Sequence, residues 1–589
     1  MPKYYPPRPL APVSTNTAAT PVSVTNTNGT ATSTTLPPPS LEAMPAVVNT
    51  NVPEDLVELT NENARYTFTS HGGGLKRVEL LHYPETIANR RQTNRLATLN
   101  ELTPAPTLSL LGGDAIAGDG LFKLTKTETG LRAEKTLSNG LSIVKTFELS
   151  TNYLVTASVR LENQSDQPLN LPAQEWVVGT ATPMGARDNG QAVGVLWYNG
   201  SKTEDINAGY FNTNTTTMFF FPRTPKAEFR GGASNVVWVA AHNQFFALAV
   251  MPQQAAESVV IRRVFLPRPS GEEAMLVATN GPPPQGLPAA VVYPALTLAP
   301  KQSLDRQVNI FAGPKEYRTL ARLAVRFGNN IDLAMGFDRT YLGRFSAFFA
   351  KMLLLAMNGL HDLLRVQYGW VIIILTILIK LLFWPLTQAS TRSMKRMQAL
   401  QPQMKAIQEK YKEDPVKMNR KVMEFMKEHK VSPLGGCLPM LLQMPVFIGL
   451  YVMIQSAIEL RGAHFLWVSD LTQPDTLAVI PGLGFIPFLG VPGVGMPLNP
   501  LPLIMGVTML WQSHLAPPSP GMDPAQQKIM RYMPLIFMLF LYNFSAGLTL
   551  YWTVQNLLTI AQTKLTRMKP EPVTAGKGPV LTPPGKKKK

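Results

Sequence analysis

The chain has 589 residues, 55 lysines and arginines against 38 acidic residues, and a formal charge of +17, so it is long enough for more than one domain. Its one cysteine, Cys437, excludes an internal disulfide framework and any cysteine-rich metal site. The basic residues crowd into 387–432 and the tail 566–589. Such patches suit anionic lipid headgroups, RNA or an acidic protein surface, but positive-inside membrane topology alone would also produce them.

The chain begins with a low-complexity segment. Residues 1–53 consist mainly of Pro, Thr, Ser, Asn and Ala with little charge, so they cannot bury enough apolar surface to fold. The sequence therefore predicts a flexible tether, and the segment contains no hydrophobic run typical of a signal peptide or anchor.

Residues 54–315 read as short alternating strands. Gly72-Gly73-Gly74 supplies a turn, and Pro, Gly and Asn separate the remaining strand candidates. Many short strands with such turns predict an antiparallel β-sandwich. The strand candidates are Arg65–Thr69, Leu141–Leu149, Tyr153–Glu162, Val236–Val250 and Ala289–Leu298.

An amphipathic helix is predicted over 337–365. Phe345, Phe348, Phe349 and Met352 recur at helical spacing among basic residues, directly before a long apolar run. This pattern is typical of a helix lying along the membrane interface, although a surface helix of the preceding domain would also fit it.

Five apolar runs in the last third of the chain predict transmembrane helices. The last two are separated by almost nothing and predict a tight hairpin. The first helix covers 366–386, and the region 433–565 holds the other four, at about 436–458, 499–515, 531–546 and 547–565. The fold class is thus an α + β membrane protein.

Charge placement predicts the orientation of these helices. The segment 387–432 carries eleven lysines and arginines, whereas the loop 459–498 carries only Arg461. The positive-inside rule places 387–432 and the tail 566–589 in the cytoplasm and the β-sandwich on the opposite side, which in a bacterium is the periplasm.

The segment 387–432 predicts a cytoplasmic hairpin of two helices, Arg392–Tyr411 and Val416–Lys430, broken by Glu413-Asp414-Pro415. Its methionines suit a surface for varied apolar clients, but they could equally pack the two helices together. The hairpin residues of interest are Arg392, Lys395, Arg396, Met397 and Lys405.

Lys380 lies inside the first apolar run, ten residues after Trp370 and so roughly 15 Å along the helix. A lysine at that depth costs about 2.5–3.5 kcal/mol and should face protein or water. Thr376 lies one turn earlier on the same face. None of the five runs contains an acidic partner. Two readings stay open, namely a water-filled cavity open to the cytoplasm and a lysine whose amine snorkels to the interface.

Further polar and flexible residues occur along the other runs. Gln443 lies in the second run and Gln555 in the last, where polar groups either line a cavity or join helices. Stripes of methionine and phenylalanine at helical spacing usually pack against neighbours, and exposure to a client would be the exception. These stripes are Met444 and Phe447 on the second run and Met533 and Phe537 on the fourth.

Catalytic signatures are absent from the sequence. It contains no His-Glu-x-x-His, no Gly-x-Ser-x-Gly and no Walker-type loop. We therefore expect no enzyme activity, no cofactor and no metal site.

Several membrane segments carry family motifs. The run Val431-Ser432-Pro433-Leu434-Gly435-Gly436-Cys437-Leu438-Pro439-Met440, continuing to Phe447, resembles the hallmark of the YidC family of membrane protein insertases. Further segments resemble that family in the same order: Tyr368-Gly369-Trp370, Pro385-Leu386-Thr387, Leu400-Gln401-Pro402, Met505–Met509, Asp523–Met530 and Ser545–Tyr551.

The resemblance implies a bacterial inner-membrane protein that inserts and folds other membrane proteins, alone or with the Sec translocon. The outer domain would be a β-sandwich related to sugar-mutarotase folds. The helices would form a hydrophilic groove open to the cytoplasm and lipid, with a positive residue, often arginine, at the position of Lys380. The positions that match the family's client path are Thr376, Met444, Phe447, Tyr551 and Trp552.

The implied partners are nascent membrane proteins, lipids, the Sec translocon and, through the basic tail, the ribosome. Family members of this type start with a further membrane span, so we expect the natural chain to begin upstream of Met1. One alternative is a channel or transporter with Lys380 in its permeation site. Another is an envelope enzyme acting on carbohydrate, which the missing carboxylate pairs and metal ligands disfavour.

Overall fold

The computed structural model describes residues 52–88, 91–92, 95–185, 190–212, 226–268, 283–339, 342–429, 438–491, 494–515 and 524–567. All of them belong to one compact unit. The tether 1–51, the motif 430–437 with Cys437, and most of the basic tail lie outside the described residues.

The first region is built almost entirely of strands. Among the described residues up to 315 its one α-helix is the short α1 (Asp114–Ala117), and two turns of 3-10 helix occur at Gly190–Ala192 and Ala208–Tyr210. In chain order the strands are β1 (Leu56–Thr60), β2 (Ala64–Thr69), β3 (Gly74–Pro84), β4 (Ile87–Ala88), β5 (Arg91–Gln92), β6 (Leu96–Leu99), β7 (Leu110–Leu111), β8 (Lys123–Lys126), β9 (Gly130–Thr136), β10 (Leu141–Leu149), β11 (Leu154–Asn163), β12 (Leu169–Leu171), β13 (Gln174–Ala181), β14 (Gly194–Tyr198), β15 (Thr203–Asn207), β16 (Glu228–Gly231), β17 (Trp238–His242), β18 (Phe246–Pro252), β19 (Ser258–Arg262), β20 (Val264–Phe265), β21 (Gln285–Tyr293), β22 (Leu296–Leu298) and β23 (Ser303–Pro314).

The strands form two large sheets and a smaller one. The nine-stranded sheet has the order β15-β14-β17-β18-β23-β11-β10-β9-β8, and the six-stranded sheet has the path β16-β19-β21-β13-β7 with β20 added beside β21. A four-stranded sheet has the order β1-β2-β3-β6. Strands β13 and β21 lie against β17 and β18, so the two large sheets face each other.

The space between the sheets is filled by apolar side chains. Trp176 of β13 and Trp238 of β17 are completely buried, and burial alternates along β11, as expected for a strand with one face on a core. All strand pairings among the described residues are antiparallel, for instance β10 with β11 and β11 with β23. The β-rich domain predicted from the sequence is therefore confirmed.

Two predicted strands are each two strands in the structure. The predicted strand 236–250 is a hairpin of β17 and β18, because the Asn243 side chain accepts hydrogen bonds from the amides of Phe245 (3.1 Å) and Phe246 (2.9 Å) and fixes a turn. The predicted strand 289–298 is interrupted at Pro294, which has no amide hydrogen to donate to a neighbouring strand.

The β-rich domain extends past its predicted end at 315. Helix α2 (Tyr317–Phe327) follows β23, and a short 3-10 helix (Ile331–Met335) comes next. The Trp238 indole donates to the carbonyl of Asn329 at 2.9 Å, and Leu320 is completely buried in the common core. These contacts attach residues 317–335 to the sandwich.

Helix α3 (Arg344–Leu364) corresponds to the predicted amphipathic helix and starts seven residues later than expected, after Gly343, whose φ is positive. One face, with Ala350, Leu353 and Met357, is buried. Another face exposes Phe345 and Phe348. The helix therefore has an apolar surface that the described protein does not cover.

The remaining helices follow the predicted segments. They are α4 (Tyr368–Leu382), α5 (Trp384–Ala399), α6 (Gln401–Lys410), α7 (Pro415–Glu428), α8 (Leu438–Ile454), α9 (Pro500–Leu515), α10 (Pro524–Leu541) and α11 (Ala546–Arg567). Between α8 and α9 a small hairpin pairs β24 (Ala478–Ile480) with β25 (Met496–Leu498).

Two of these boundaries correct the predictions. The first arm of the 387–432 hairpin is two helices, α5 and α6, because Pro402 in the first turn of α6 cannot donate the hydrogen bond that a continuous helix needs. The fourth predicted span, 531–546, is offset from α10, which starts at Pro524 and ends at Leu541. The break at 413–415 is confirmed, since Asp414 caps α7 by accepting from the Lys417 amide at 2.9 Å. The tight connection between the last two helices is also confirmed.

Helix length supports the predicted spans only in part. Among the described residues, α3 alone is long and apolar enough to cross a membrane, and α4 joined to the start of α5 across a 59° bend would make a second. Shorter apolar stretches occupy Leu441–Ile454 and Arg531–Leu541. Five spans and an interfacial position for α3 thus stay predictions.

The β-rich domain contacts the helical region through Arg461, which follows α8. Its guanidinium donates to the carbonyls of Pro84 and Glu85, both at 2.8 Å, and lies 5.2 Å from the Phe246 ring. Arginine suits this position because its planar fork of donors can satisfy two carbonyls while stacking on an aromatic ring. The one basic residue of the 459–498 loop is therefore part of the contact between the two regions.

Candidate functional site

Lys380 lies near the end of α4 and points toward α11. Its side chain is only 7% exposed, and its amine donates to the Thr559 hydroxyl at 2.9 Å. Within the described part of the chain, no acidic side chain forms an ion pair with it. The geometry favours a lysine held between helices over one that snorkels outward.

The two predicted groove glutamines meet. Gln555 of α11 donates to the Gln443 side-chain oxygen at 3.2 Å, and Gln443 of α8 donates to the Tyr551 hydroxyl at 3.4 Å. Both bonds are long, and both glutamines are only partly buried. They form a polar link between α8 and α11 that can exchange partners at small cost.

Thr376 lies on α4 one turn before Lys380, as expected. Its hydroxyl donates to the Ile372 carbonyl one turn back along α4, at 2.6 Å, and the residue is 1% exposed. A back-bonded threonine satisfies its own donor within the helix. Within the part of the chain that the structure describes, the Thr376 hydroxyl bonds neither Lys380, one turn away, nor the two glutamines.

Helix α11 carries more polar contacts than the sequence reading identified. Gln562 donates to the Thr387 hydroxyl at 3.0 Å, and Asn556 donates to the Thr508 hydroxyl at 3.1 Å. With Thr559, these side chains make α11 a polar strip that faces α4, α5, α8 and α9. The signal available in the sequence was the helical spacing of Gln555, Thr559 and Gln562, which places all three on neighbouring positions of one side.

An aromatic cluster joins three helices beside this strip. The Trp552 ring of α11 lies 4.8 Å from Phe447 of α8 and 4.8 Å from Phe537 of α10, measured between ring centroids. The contact with Phe447 is perpendicular, the arrangement that aromatic pairs prefer. Three residues predicted for the client path are therefore brought together, and Tyr551 lies next to them, almost completely buried.

Two methionines flank the cluster on the surface. Met444 of α8 is 37% exposed and Met533 of α10 is 44% exposed. On α10, Ile536 and Phe540 are exposed beside Met533. Flexible thioethers at such a surface can adapt to apolar side chains of different shape.

The hairpin residues that the sequence analysis predicts to be cytoplasmic lie on α5 and α6. Arg396 and Lys405 are exposed, whereas only the helical backbone of Arg392, Lys395 and Met397 is described. Where the hairpin folds on itself, Leu400, Met404 and Met426 form a small buried cluster. Two of the hairpin methionines thus pack the helices together, and Met423 is exposed.

The described residues contain no group of three or more His, Cys, Asp or Glu side chains that could hold a metal ion. The site therefore consists of one buried cation, a row of amides and hydroxyls, and an adjacent aromatic and methionine surface. This chemistry is suited to holding a polar segment next to an apolar one.

Two family models match consecutive parts of the chain. The model described as YidC periplasmic domain matches residues 56–354, and the one described as 60Kd inner membrane protein matches residues 359–572. The first model ends within α3, in agreement with a β-rich domain that extends past residue 315.

Relatives cover nearly the whole chain. The membrane protein insertase YidC of Syntrophus aciditrophicus is 31% identical over 522 residues, covering 86% of this chain and 84% of the relative. That of Syntrophobacter fumaroxidans is 42% identical over 331 residues, or 56% of this chain and 53% of the relative. A solved structure, described as an active YidC insertase crystal structure with the first transmembrane domain resolved, covers 86% of this chain and 92% of its own at 17% identity and a TM-score of 0.32. The assignment rests on the family models and the relatives, which show that the chain belongs to the YidC family of membrane protein insertases, as a non-enzymatic inner-membrane insertase with a periplasmic domain.

Proposed function

We propose that the insertase works through a hydrophilic groove in which Lys380 receives the polar tail of a client protein. The observation that carries this proposal is the hydrogen-bond environment of Lys380, a buried amine that donates to one neutral hydroxyl. An ammonium has three donors, so two are left for other acceptors. A carboxylate on a client tail would supply both an acceptor and the missing negative charge.

The glutamines extend the groove beyond Lys380. Gln443 and Gln555 join α8 to α11 through long hydrogen bonds. A passing client segment can replace such bonds with its own backbone groups, because amide side chains both donate and accept. The polar strip of α11 thereby shortens the stretch of hydrocarbon that a client tail has to cross.

The apolar part of the client leaves along the second and fourth spans. Met444 and Met533 are exposed on either side of the aromatic cluster of Phe447, Phe537 and Trp552. The rigid rings supply a fixed wall and the thioethers supply an adaptable one. A client helix can slide past this surface into lipid, where its side chains are stable without further help.

The topology we propose has five spans, with residues 387–432 in the cytoplasm and α3 at the membrane interface. The density of lysine and arginine over 387–432 supports the cytoplasmic position. Client recognition through Arg392, Lys395, Arg396, Met397 and Lys405 belongs to this proposal. So do the Sec translocon as a partner and ribosome contact through the basic tail 566–589.

The experiment is insertion of a short single-span client into liposomes that contain the purified protein. We expect Lys380→Ala to lower the insertion rate by about tenfold, equivalent to about 1.4 kcal/mol, and Lys380→Arg to retain it. Lys301→Ala, which removes an exposed lysine of the β-rich domain, serves as the control and should insert like wild type. Full activity of Lys380→Ala would refute the role of the charge. Conductance or solute transport without insertion would favour the channel or transporter.

A further inference from the structure

The connection between α8 and α9 ends in an apolar hairpin, defined here as residues 477–491 and 494–498. The sequence has no charged residue from Thr476 to Asn499. Its large side chains are exposed to an unusual degree, with Phe485 78%, Phe488 58% and Leu477 54% accessible. Contiguous exposed apolar surface of this kind marks a site that something else covers.

Hydrogen bonds fix the base of the hairpin to the neighbouring helical region. The Asp475 carboxylate accepts from the Leu501 amide at 2.7 Å. The Asn499 side chain donates to the Tyr542 carbonyl at 2.9 Å, and the Tyr542 hydroxyl donates to the Pro497 carbonyl at 2.8 Å. These hydrogen bonds therefore hold the hairpin in one position, with the large apolar side chains near its tip exposed.

Many backbone amides and carbonyls of the hairpin form hydrogen bonds with each other. Strands β24 and β25 pair with each other, and the Leu477 amide extends this ladder by donating to the Leu498 carbonyl at 3.0 Å. Nearer the tip, the amides of Gly490 and Val491 donate to Ile486 and Gly495, both at 2.8 Å. A segment can move from water into lipid only if its backbone amides and carbonyls are hydrogen-bonded within the protein. Backbone groups at the turns that lack such partners favour the headgroup boundary over the bilayer centre.

The hairpin continues the apolar surface of the membrane helices. The Phe488 ring lies 4.9 Å from Phe540 near the end of α10, and the Asn543 side chain donates to the Phe488 carbonyl at 2.8 Å. Phe540 and Ile536 of α10 are themselves exposed. Since this protein resides in the inner membrane, lipid that covers the end of α10 would reach the hairpin as well.

The side of the membrane follows from Arg461. This residue lies on the same connection as the hairpin and binds the Pro84 and Glu85 carbonyls of the periplasmic domain. The hairpin therefore lies on the periplasmic side of the helices.

We propose that the hairpin inserts into the outer leaflet of the inner membrane, with Phe485 deepest and the β24–β25 stem nearer the surface. Its partner is the lipid bilayer itself, which the lack of charge and the continuity with α10 favour over a protein. Inserted in this way, the hairpin would hold the periplasmic ends of α9 and α10 at a set depth. This proposal depends on family membership and not on the groove mechanism, so either one can fail without the other.

The test is a depth measurement on the full chain in vesicles of phosphatidylethanolamine and phosphatidylglycerol. Cys437→Ser provides a cysteine-free background in which Phe485→Cys, Val479→Cys or Phe265→Cys carries a nitroxide spin label. Phe265 is the matched control, a phenylalanine of the β-rich domain that is 56% exposed. Collision rates of each label with oxygen, which enters lipid, and with a water-soluble nickel chelate report its surroundings.

We expect the label at 485 to collide with the nickel chelate roughly fivefold less often than the label at 265, while remaining accessible to oxygen. The label at 479, on the stem, should fall between them. Equal nickel collision rates at 485 and 265 would overturn the proposal, because the hairpin would then be in water. Low rates with both reagents at 485 would overturn it too, since a protein partner or a second copy would be covering the hairpin. The label at 479 provides an independent readout if the change at 485 disturbs the tip.

Discussion

The buried lysines Lys145 and Lys380 distinguish the two regions of the molecule. Lys145 of β10 is completely buried, and its amine donates to the carbonyls of Gly72 at 2.6 Å and Leu108 at 2.8 Å. The Phe122 ring lies 4.4 Å from the same amine. Lys380 is almost as buried but has one hydroxyl as its hydrogen-bond partner.

This is the difference we expect between a lysine that stabilises the fold and one that binds a client. The polar contacts of Lys145 come from backbone carbonyls that are themselves buried, so the side chain ties the Gly72 turn to a neighbouring loop. Burial lowers the pKa of Lys145 to about 7, so the amine is protonated in only about half of the molecules at neutral pH. Lys380 keeps N–H donors that no residue in the described ranges accepts from, and the proposed client path passes this position.

The largest effect we predict comes from Lys145→Ala. The substitution leaves two buried carbonyls without a donor and opens a cavity, so the free energy of unfolding should fall by about 4 kcal/mol. Chemical denaturation of the purified protein, followed by near-ultraviolet circular dichroism, measures this loss. The exposed Lys126→Ala on β8 is the control and should stay within about 0.5 kcal/mol of wild type. Equal stability of the two variants would contradict a structural role for Lys145.

The second effect concerns the pH dependence of the β-rich domain. The Nε2 atom of His242 donates to the Asp205 carboxylate at 3.0 Å, and Arg339 forms an ion pair with the same carboxylate at 3.0 Å. Burial lowers the pKa of His242 to about 4. The positive charges of Arg339 and Lys315 also lower this pKa, whereas the negative charge of Asp205 raises it. The folded state thus binds a proton at His242 less readily than the unfolded chain does.

Because the pKa of His242 is lower in the folded state, its contribution to stability is complete above about pH 6.5. It should be lost as the pH falls toward 4, by about 3 kcal/mol in total. Denaturation of wild type at pH 7 and pH 4.5, compared with His242→Gln, isolates this part of the pH dependence. If both proteins lose the same stability on acidification, His242 is not the group responsible.

The smallest effect is expected for Thr559→Val, which removes the hydroxyl bound by Lys380 but keeps the charge. One hydrogen bond contributes about 1 kcal/mol, so stability should fall by about that amount. Insertion should change far less than in Lys380→Ala, because the client itself can accept from the amine. The same liposome assay tests this expectation, with Thr563→Val on the next turn of α11 as the control. A loss of insertion as large as that of Lys380→Ala would mean that the Lys380–Thr559 pair, and not the free charge, is required.

Local patterns were enough to predict much of the architecture. The alternation of apolar and polar residues predicted the β-rich domain. The apolar runs predicted a helix at each segment that we expect to span the membrane. Errors arose where a single side chain breaks an element. The Asn243 turn divides one predicted strand and Pro402 divides one predicted helix, because a hydrogen bond made or lost at one residue does not alter the average pattern around it.

The sequence indicated candidate site residues but not the contacts between them. Lys380, Gln443 and Gln555 were identified as polar groups within apolar runs, and Phe447, Phe537 and Trp552 do meet. Thr559 was missed, since it lies 179 residues from Lys380 in the chain and a threonine in a helix has many ordinary roles. The spacing of polar residues on one helix face does not predict which neighbouring helix that face will contact.

The most direct test of the central claim varies the charge of the client and of the groove together. Three versions of one single-span client, with an acidic, a neutral or a basic tail, are inserted by wild type, Lys380→Met and Lys380→Arg. We predict that wild type and Lys380→Arg insert the acidic tail roughly fivefold faster than the basic tail, equivalent to about 1 kcal/mol, and that Lys380→Met loses this preference. A preference for the acidic tail that survives in Lys380→Met would contradict the claim that the charge of Lys380 receives the client.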